Sequence, residues 1–183
     1  MHDPMALITD YVLGIFAWVL AALLKRAGKP WVPAFVFTGI AAILGGTYHG
    51  LFEHPLLWKA VVYAVGFASF FLLAGSGGRK LQVFAAVKLV AYLAWVTMDD
   101  AFVWVIVDYG VTLLIVAAVH AIRKSPATKW ILANIAVSIV GALIQQSKVK
   151  LHPYWFDHND IYHVIQMVAL WLLYRAGTMR AHA

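Results

Sequence analysis

The sequence contains no cysteine, so disulfide bonds, thiolate metal ligands and cysteine nucleophiles are all excluded. Charged residues are also scarce, at 12% of the 183 residues, whereas 63% of the residues are hydrophobic. A water-soluble domain could hardly bury so large an apolar fraction. The composition therefore predicts an integral membrane protein.

Several motifs of soluble proteins are absent as well. The glycine-rich stretch 75–78 lacks the Lys-Ser context of a phosphate-binding loop, and no G-x-S-x-G nucleophile elbow occurs. No basic stretch precedes the first apolar run, where Asp3 stands instead, so we expect no cleavable signal peptide. The net charge of +6 does not indicate nucleic acid as a partner, because the basic residues flank the apolar runs.

Apolar runs of about 20 residues are long enough to cross a bilayer as helices. The sequence holds seven such runs and no room for a soluble domain. We therefore predict an all-α fold, a single domain over 1–183 that forms a bundle of seven transmembrane helices. The predicted spans are about 6–24, 31–52, 55–74, 80–98, 101–121, 129–147 and 160–177.

The basic residues predict how the bundle is oriented. Ten of the fourteen follow the first, third, fifth or seventh span: Lys25, Arg26, Lys29, Arg79, Lys80, Arg123, Lys124, Lys129, Arg175 and Arg180. Because cytoplasmic loops carry the excess of lysine and arginine, we place the N-terminus outside and the C-terminus in the cytoplasm. We expect a multi-pass protein of a bacterial inner membrane.

Acidic residues and histidines gather at the opposite side. All eight acids lie in the outer loops or the outer halves of spans: Asp3, Asp10, Glu53, Asp99, Asp100, Asp108, Asp157 and Asp160. Six of the eight histidines accompany them: His2, His49, His54, His152, His158 and His163. Ionisable residues at a membrane helix end are costly to desolvate, so they indicate a functional site.

The densest part of this group is the stretch 152–167, HPYWFDHNDIYHVIQM, which leads into the seventh span. His163 falls about one turn into that span, and His49 lies near the outer end of the second. At 1.5 Å per residue, they share a depth band of about 10 Å with several other polar residues. These are Asp10, Asp99, Asp100, Gln145 and Gln146. We expect one outward-facing pocket.

Histidine-rich pockets favour zinc, and three protein ligands plus a water make a catalytic zinc site. We predict His49, His158 and His163 as the ligands. His158 and His163 lie about 140° apart on an ideal helix, so they converge only if His158 precedes the helix, with Asp157 or Asn159 as its N-cap. The third ligand could instead be His54, His152 or Asp160. Candidate acids beside a zinc-bound water are Asp10, Asp99, Asp100 and Asp160.

Seven spans, a histidine at the outer end of the second and histidines opening the seventh resemble the CREST superfamily. That group contains alkaline ceramidases, adiponectin/progestin-type receptors and Per1-like proteins. The resemblance implies an intramembrane zinc, held by one histidine of the second helix and two of the seventh, and hydrolysis of a lipid amide. His49 would match the first histidine, and His158 and His163 the pair, although HNDIYH replaces the family's HxxxH. The water-holding catalytic acid would be Asp99, Asp100 or Asp160.

The leading prediction is therefore a zinc-dependent intramembrane hydrolase of a lipid amide or ester, with membrane lipid as its substrate. One alternative is a transporter or sensor that couples to an ion or proton through the same pocket. Another is a haem protein with His49 and His163 as axial ligands. The sequence leaves the oligomeric state open.

Two further polar residues lie deep in neighbouring spans. Lys88 and Asp108 are each about ten residues from the turn at 99–100, which joins the fourth and fifth spans. We expect them to face each other as a buried ion pair with a structural role.

Overall fold

The computed structural model describes residues 3–152 and 156–179, and within them the chain is all-helical. Three residues of the sequence patterns above lie outside the described residues. They are His2, Arg180 and Trp155, the last of which belongs to the stretch 152–167. Seven helices follow one another: α1 (Pro4–Arg26), α2 (Val32–Gly50), α3 (Pro55–Ala74), α4 (Arg79–Met98), α5 (Phe102–Ile122), α6 (Thr128–Ser147) and α7 (His158–Thr178). The predicted spans match these helices to within two residues at every boundary.

Six of the described helices, α1 to α6, are long and apolar enough to cross a membrane. α7 has the length, at 21 residues, but polar residues dilute its hydropathy. Four of these are His158, Asp160, His163 and Arg175. The all-α fold and the membrane-type helices are thus confirmed.

Local signals in the sequence explain where three of the helices begin. Asp3 caps α1 by accepting a hydrogen bond from the backbone N–H of Ala6. Pro55 occupies the first turn of α3, where its missing N–H costs nothing. Asp157 caps α7, and Asp160 returns the hydrogen bond to complete a capping box.

Consecutive helices run antiparallel, so the helix termini lie at two opposite ends of the bundle. We call the end where α1 and α7 begin the acidic end, and the end where they finish the basic end. At the acidic end the backbone N–H of Asp3 donates to the carbonyl of His49 (3.1 Å). At the basic end the Arg123 guanidinium donates to the carbonyl of Ser76 (2.8 Å).

Six of the helices form a closed ring. α1 packs against α2, α2 against α3, α3 against α5, α5 against α6, and α6 against α7, which returns to α1. α4 packs on α3 from outside and leaves Val83, Phe84, Val87 and Val90 exposed. The main apolar core fills the basic half of the ring, around residues such as Leu24, Phe35, Leu72 and Leu173.

The seam between α1 and α2 depends on glycine. A Cβ on Gly46 would lie 2.8 Å from the Cβ of Asp10 and 3.1 Å from the carbonyl oxygen of Leu7. A Cβ on Gly50 would lie 2.5 Å from the Cβ of Leu7. The close helix approach expected of this small-residue pair is therefore present, and it brings Asp10 against the histidine end of α2.

The predicted ion pair between Lys88 and Asp108 is also confirmed. It links α4 to α5, and both side chains are mostly buried. The Lys88 ammonium donates to Asp108 and to the hydroxyl of Ser69 (3.2 Å), which lies 2.7 Å from the hydroxyl of Thr112. Every polar side chain in this series of hydrogen bonds, from Asp108 to Thr112, has a partner, as a buried charge requires.

Candidate functional site

A cavity of about 440 Å³ lies inside the ring of six helices. All six ring helices contribute to its walls, and no described residue of α4 does. Toward the acidic end the wall carries all of its charged and imidazole side chains, together with apolar residues such as Val61 and Ile106. The former are Asp10, His49, Lys148, His158 and His163. Deeper in the bundle the wall is mainly apolar, with Leu113, Leu170 and Leu173, and Thr38 and Asn134 are among its polar exceptions. The cavity thus has room for a polar group at the acidic end and for an apolar chain beyond it.

His163 is the best-connected polar side chain in the cavity wall. Its Nε2 lies 3.1 Å from Oδ1 of Asp10, and its Nδ1 lies 2.9 Å from the hydroxyl oxygen of Thr9. The Thr9 hydroxyl also lies 3.1 Å from Oδ1 of Asp160. All four residues are buried. They form one network, Asp10–His163–Thr9–Asp160, across the contact between α1 and α7.

The network has one half on α1 and one half on α7, and local features of the sequence place the side chains of each half. Thr9 and Asp10 are adjacent in α1, and glycines of α2 leave room for Asp10: a Cβ on Gly45 would lie 3.3 Å from its Oδ2. Asp160 and His163 are three residues apart in α7 and therefore lie on one face. The second carboxylate oxygen of Asp160 accepts the backbone N–H of Asp157 (2.9 Å), so the network is continuous with the cap of α7.

The Thr9 hydroxyl can donate within α1, to the carbonyl of Met5 (3.0 Å) or Ala6 (3.3 Å), and counting protons gives two further settings in which it donates to Asp160 or to His163. The Thr9 hydroxyl has one proton to donate. When it donates to Asp160, it accepts from Nδ1–H of His163, and the contact between Nε2 and Asp10 then needs a further proton on one of those two groups. When Thr9 donates to Nδ1 instead, Nε2–H donates to an ionised Asp10, and Asp160 loses its hydrogen bond from Thr9.

Proton occupancy of the Asp10–His163 pair is therefore linked to the cap of α7. The link passes through one hydroxyl group, whose rotation costs little. It connects the wall of the cavity with the start of a helix, which is the kind of connection that a proton-dependent conformational change requires.

His49 and His158 lie in the same cavity wall. The His49 ring packs edge-on against Tyr48 and Trp58, and its nitrogens form no hydrogen bond with other described residues. His158 is the first residue of α7, directly after the Asp157 cap, so the expected cap is confirmed but the expected position of His158 before the helix is wrong. Its Nδ1 is buried and lies 3.4 Å from Oδ2 of Asp157 without hydrogen-bond geometry.

Two more buried polar atoms in the cavity wall have no partner among the described residues. They are Oδ1 of Asn134 and Oε1 of Gln145. The amide nitrogens of the same two side chains are bonded, to the carbonyl of Ala169 (2.7 Å) and to Asn159 (2.7 Å). Buried polar groups normally find a partner. These atoms and Nδ1 of His158 are therefore places where a ligand or water would bind.

The structure does not bring the other predicted site residues to the cavity. Asp99 accepts hydrogen bonds from the Trp104 indole (2.7 Å) and the backbone N–H of Ala101 at the α4–α5 turn. Asp100 lies 3.8 Å from Lys59. Their catalytic role, and that of Asp160, stays a prediction. In Asp160 both carboxylate oxygens accept hydrogen bonds within the network and the cap.

The alternative third ligands also lie away from the cavity wall. His54 caps α3 by accepting the backbone N–H of Leu56 (3.3 Å). His152 lies in the α6–α7 loop, where its backbone N–H donates to the carbonyl of Phe156 (3.0 Å). Neither residue lines the cavity.

Sequence patterns did not single out Thr9 or Asn134. Thr9 stands beside Asp10 in the first span, and that adjacency was the available signal. Asn134 is a lone amide inside an apolar helix, which is costly unless it bonds or lines a cavity.

The three predicted zinc ligands share the cavity but do not form a metal site in this arrangement. Both ring nitrogens of His163 already have protein partners. Over 3–152 and 156–179, no group of three or more histidine or acidic residues has an arrangement that could hold a metal ion.

Comparison with known proteins leaves the site without a described counterpart. No curated protein and no solved structure matches the chain. A family does match, over residues 5–182, and it is described as a family of unknown function, DUF6962. Because this match covers all seven helices, the chain belongs to DUF6962.

Proposed function

We propose that the protein is a proton-coupled transporter or sensor that binds an amphipathic, lipid-like molecule in the ring cavity. In this proposal all seven helices span the membrane, with the acidic end outside and the basic end in the cytoplasm. The Asp10–His163 pair exchanges a proton as the ligand binds. The observation that carries the proposal is the Asp10–His163–Thr9–Asp160 network, of which Asp10 and His163 line the cavity.

The shape and polarity of the cavity support an amphipathic ligand. Its volume of about 440 Å³ falls within the roughly 300 to 1,000 Å³ of ordinary ligand pockets. An apolar chain would lie against the leucines toward the basic end. The polar head would lie at the acidic end, where Gln145 and His158 present buried polar atoms without partners.

The position of the network supports coupling to a proton. Ionisable residues inside membrane bundles usually face a cavity or one another, and they serve proton and ion pathways. A ligand head beside His163 would compete with Thr9 or Asp10 for its ring nitrogens. It would thereby change which of the two proton settings is preferred, and with it the hydrogen bond from Thr9 to Asp160.

Calorimetry in detergent tests this proposal, with a long-chain fatty acid amide as the probe. The binding enthalpy is measured in several buffers of different ionisation enthalpy, which gives the number of protons taken up or released. We expect a fraction of a proton per ligand for the wild type and none for Asp10→Asn. Asp99→Asn is the matched control, because it removes the same charge at the acidic end but away from the cavity.

Two results would contradict the proposal. One is binding without proton exchange in the wild type, which would remove the coupling. The other is the absence of binding by any amphipathic probe, combined with a normal fold, which would remove the ligand.

The zinc-dependent hydrolase of a lipid amide or ester remains a second candidate. It is favoured by His49 and His158, whose ring nitrogens are not hydrogen-bonded to other described residues and which line the same cavity as His163. Elemental mass spectrometry of purified wild type, His49→Ala and His163→Ala decides it. About one zinc per chain, lost in both variants, would support it, and zinc-free protein would exclude it. An absorption spectrum of each sample tests the haem alternative.

A further inference from the structure

We propose that the basic end of the bundle holds a second site, which binds the phosphate group of an anionic ligand. A smaller cavity of about 230 Å³ lies there, where the α1–α2 and α3–α4 connections meet the ends of α5 and α7. Lys29, His120, Arg123 and Ser125 are among the residues that line it. It does not belong to the ring cavity, and it does not depend on the function proposed above.

The two cations at this cavity have no acidic partner among the described residues. The Lys29 ammonium donates to the carbonyl of Met179 (3.3 Å), and the Arg123 guanidinium donates to the carbonyl of Ser76 (2.8 Å). Carbonyl groups orient these side chains without neutralising their charge. Arginine keeps further N–H donors, and its planar fork suits a phosphate.

His120 gives independent evidence for a missing acceptor. Both of its ring nitrogens are buried, and neither has a hydrogen-bond partner among the described residues. The ring packs edge-on against Trp31, with centroids 5.7 Å apart. An imidazole always carries at least one N–H, so this ring needs an acceptor. An oxyanion in the cavity would supply it.

Two other polar side chains of the wall are bonded to each other. The Trp31 indole donates to the Ser76 hydroxyl (3.1 Å), which donates in turn to the carbonyl of Leu72 (2.7 Å). The hydrogen-bond donors left for a ligand therefore belong to the cations, to His120 and to the hydroxyl of Ser125, which itself accepts the backbone N–H of Ala127 (3.2 Å). This combination indicates an anion rather than a cation or a neutral ligand.

The size of the cavity indicates a single ionic group. At about 230 Å³ it lies below the roughly 300 Å³ at which pockets for whole small molecules begin. A phosphate of a lipid head group and a free phosphate share the chemistry that this site recognises. Basic pockets between membrane helices bind anionic head groups in this way.

Thermal unfolding of the detergent-purified protein tests the site with three probes. They are inorganic phosphate, short-chain phosphatidic acid and short-chain phosphatidylcholine, each titrated to obtain an apparent Kd from the rise in Tm. The test variant is Lys29→Gln/Arg123→Gln. The control is Lys25→Gln/Lys80→Gln, which removes the same charge from the same end but not from the cavity. His120→Phe is a third variant, which keeps the ring and removes its nitrogens.

We expect phosphatidic acid to stabilise the wild type more than phosphatidylcholine does. Its apparent Kd should rise roughly tenfold or more in the test variant, and less in His120→Phe. The control should bind like the wild type. A matching response to inorganic phosphate would identify a soluble anion as the source, and a response to phosphatidic acid alone would identify a lipid.

Two outcomes would overturn the site. One is equal weakening in the test and control variants, which would show diffuse attraction to the whole basic end. The other is equal stabilisation by phosphatidic acid and phosphatidylcholine. If Lys29→Gln/Arg123→Gln does not fold, His120→Phe decides alone, and unchanged binding of phosphatidic acid by that variant would refute the proposal.

Discussion

Among the described residues, two acid–base pairs lie inside the helix bundle, Lys88–Asp108 and His163–Asp10. The first joins α4 to α5 outside the ring cavity, and hydroxyl groups of α3 and α5 complete its hydrogen bonds. The second lies in the cavity wall, and its hydrogen bonds continue through Thr9 to the cap of α7. We call Lys88–Asp108, which is enclosed by packed helices, the closed pair. We call Asp10–His163, which borders the cavity, the open pair.

We expect this difference to separate a structural pair from one that takes part in the proposed function. A buried pair without access to a ligand can only hold helices together, and it need not add stability relative to apolar residues. A pair that borders a cavity can change partners when something enters. The predictions below measure how far the two pairs differ.

The largest expected effect comes from breaking the closed pair. Asp108→Asn leaves the Lys88 ammonium without its counter-charge, which should destabilise the fold by about 3 to 5 kcal/mol. Lys88→Met/Asp108→Leu removes both charges and should recover much of that loss. Thermal unfolding in detergent of Lys88→Met, Asp108→Leu and the double variant completes a double-mutant cycle, which gives the coupling. Additive effects of the two single changes would show that the charges do not interact.

A smaller loss of stability is expected at the open pair. His163→Leu leaves Asp10 without its partner, whereas Thr9 keeps Asp160 and the carbonyl of Met5, and we expect a cost of about 1 to 3 kcal/mol. Unlike the change at Asp108, it should also abolish the proton exchange that accompanies binding of a fatty acid amide. Unfolding and calorimetry on the same samples separate the two effects. Normal proton exchange in His163→Leu would show that another group takes up or releases the proton.

The sequence predicted the closed pair but not the open one, for a physical reason. Lys88 and Asp108 are equally far from the turn that joins their helices, so counting residues places them at one depth. Asp10 and His163 meet only because the ring closes α1 against α7, and that closure depends on packing around the whole bundle. Packing likewise decides that Gln145 and His158 face the cavity, whereas Asp99 lies in the turn after α4, which packs outside the ring.

Helix boundaries were predictable because apolar length, proline and capping residues act locally. Gly46 and Gly50 are four residues apart, and this small-residue spacing indicates close helix packing from the sequence in the same way. The residues that pack against these two glycines could not be predicted, because they belong to another helix, α1.

The contact between α1 and α2 allows a third test, in which the position of Asp10 changes although neither Asp10 nor His163 is substituted. Gly46→Ala places a methyl group 2.8 Å from the Cβ of Asp10 and against the backbone of Leu7, so α1 must shift. We expect a loss of about 1 to 2 kcal/mol together with weaker proton coupling. Gly78→Ala is the control, because a Cβ there meets nothing within 4 Å and Gly78 does not line the cavity. It should leave the proton coupling unchanged and cost less than about 1 kcal/mol, as the loss of a glycine N-cap does. Equal behaviour of the two variants would show that the seam does not position Asp10.

The smallest effect is expected at a third acid–base contact, which lies at the acidic end between Lys59 and Asp100. Their charged atoms are 3.8 Å apart, and about a third of each side chain is exposed, at 30% and 37%. Solvent screens such a pair, so Lys59→Met should cost less than about 1 kcal/mol. The hydrogen bond from Lys59 to the carbonyl of Thr97 (2.7 Å) is lost as well, but that carbonyl lies where water can replace the donor. Thermal unfolding beside Asp108→Asn gives the comparison. A loss as large as that of Asp108→Asn would mean that burial does not set the strength of these pairs, and the distinction between closed, open and exposed pairs would fail.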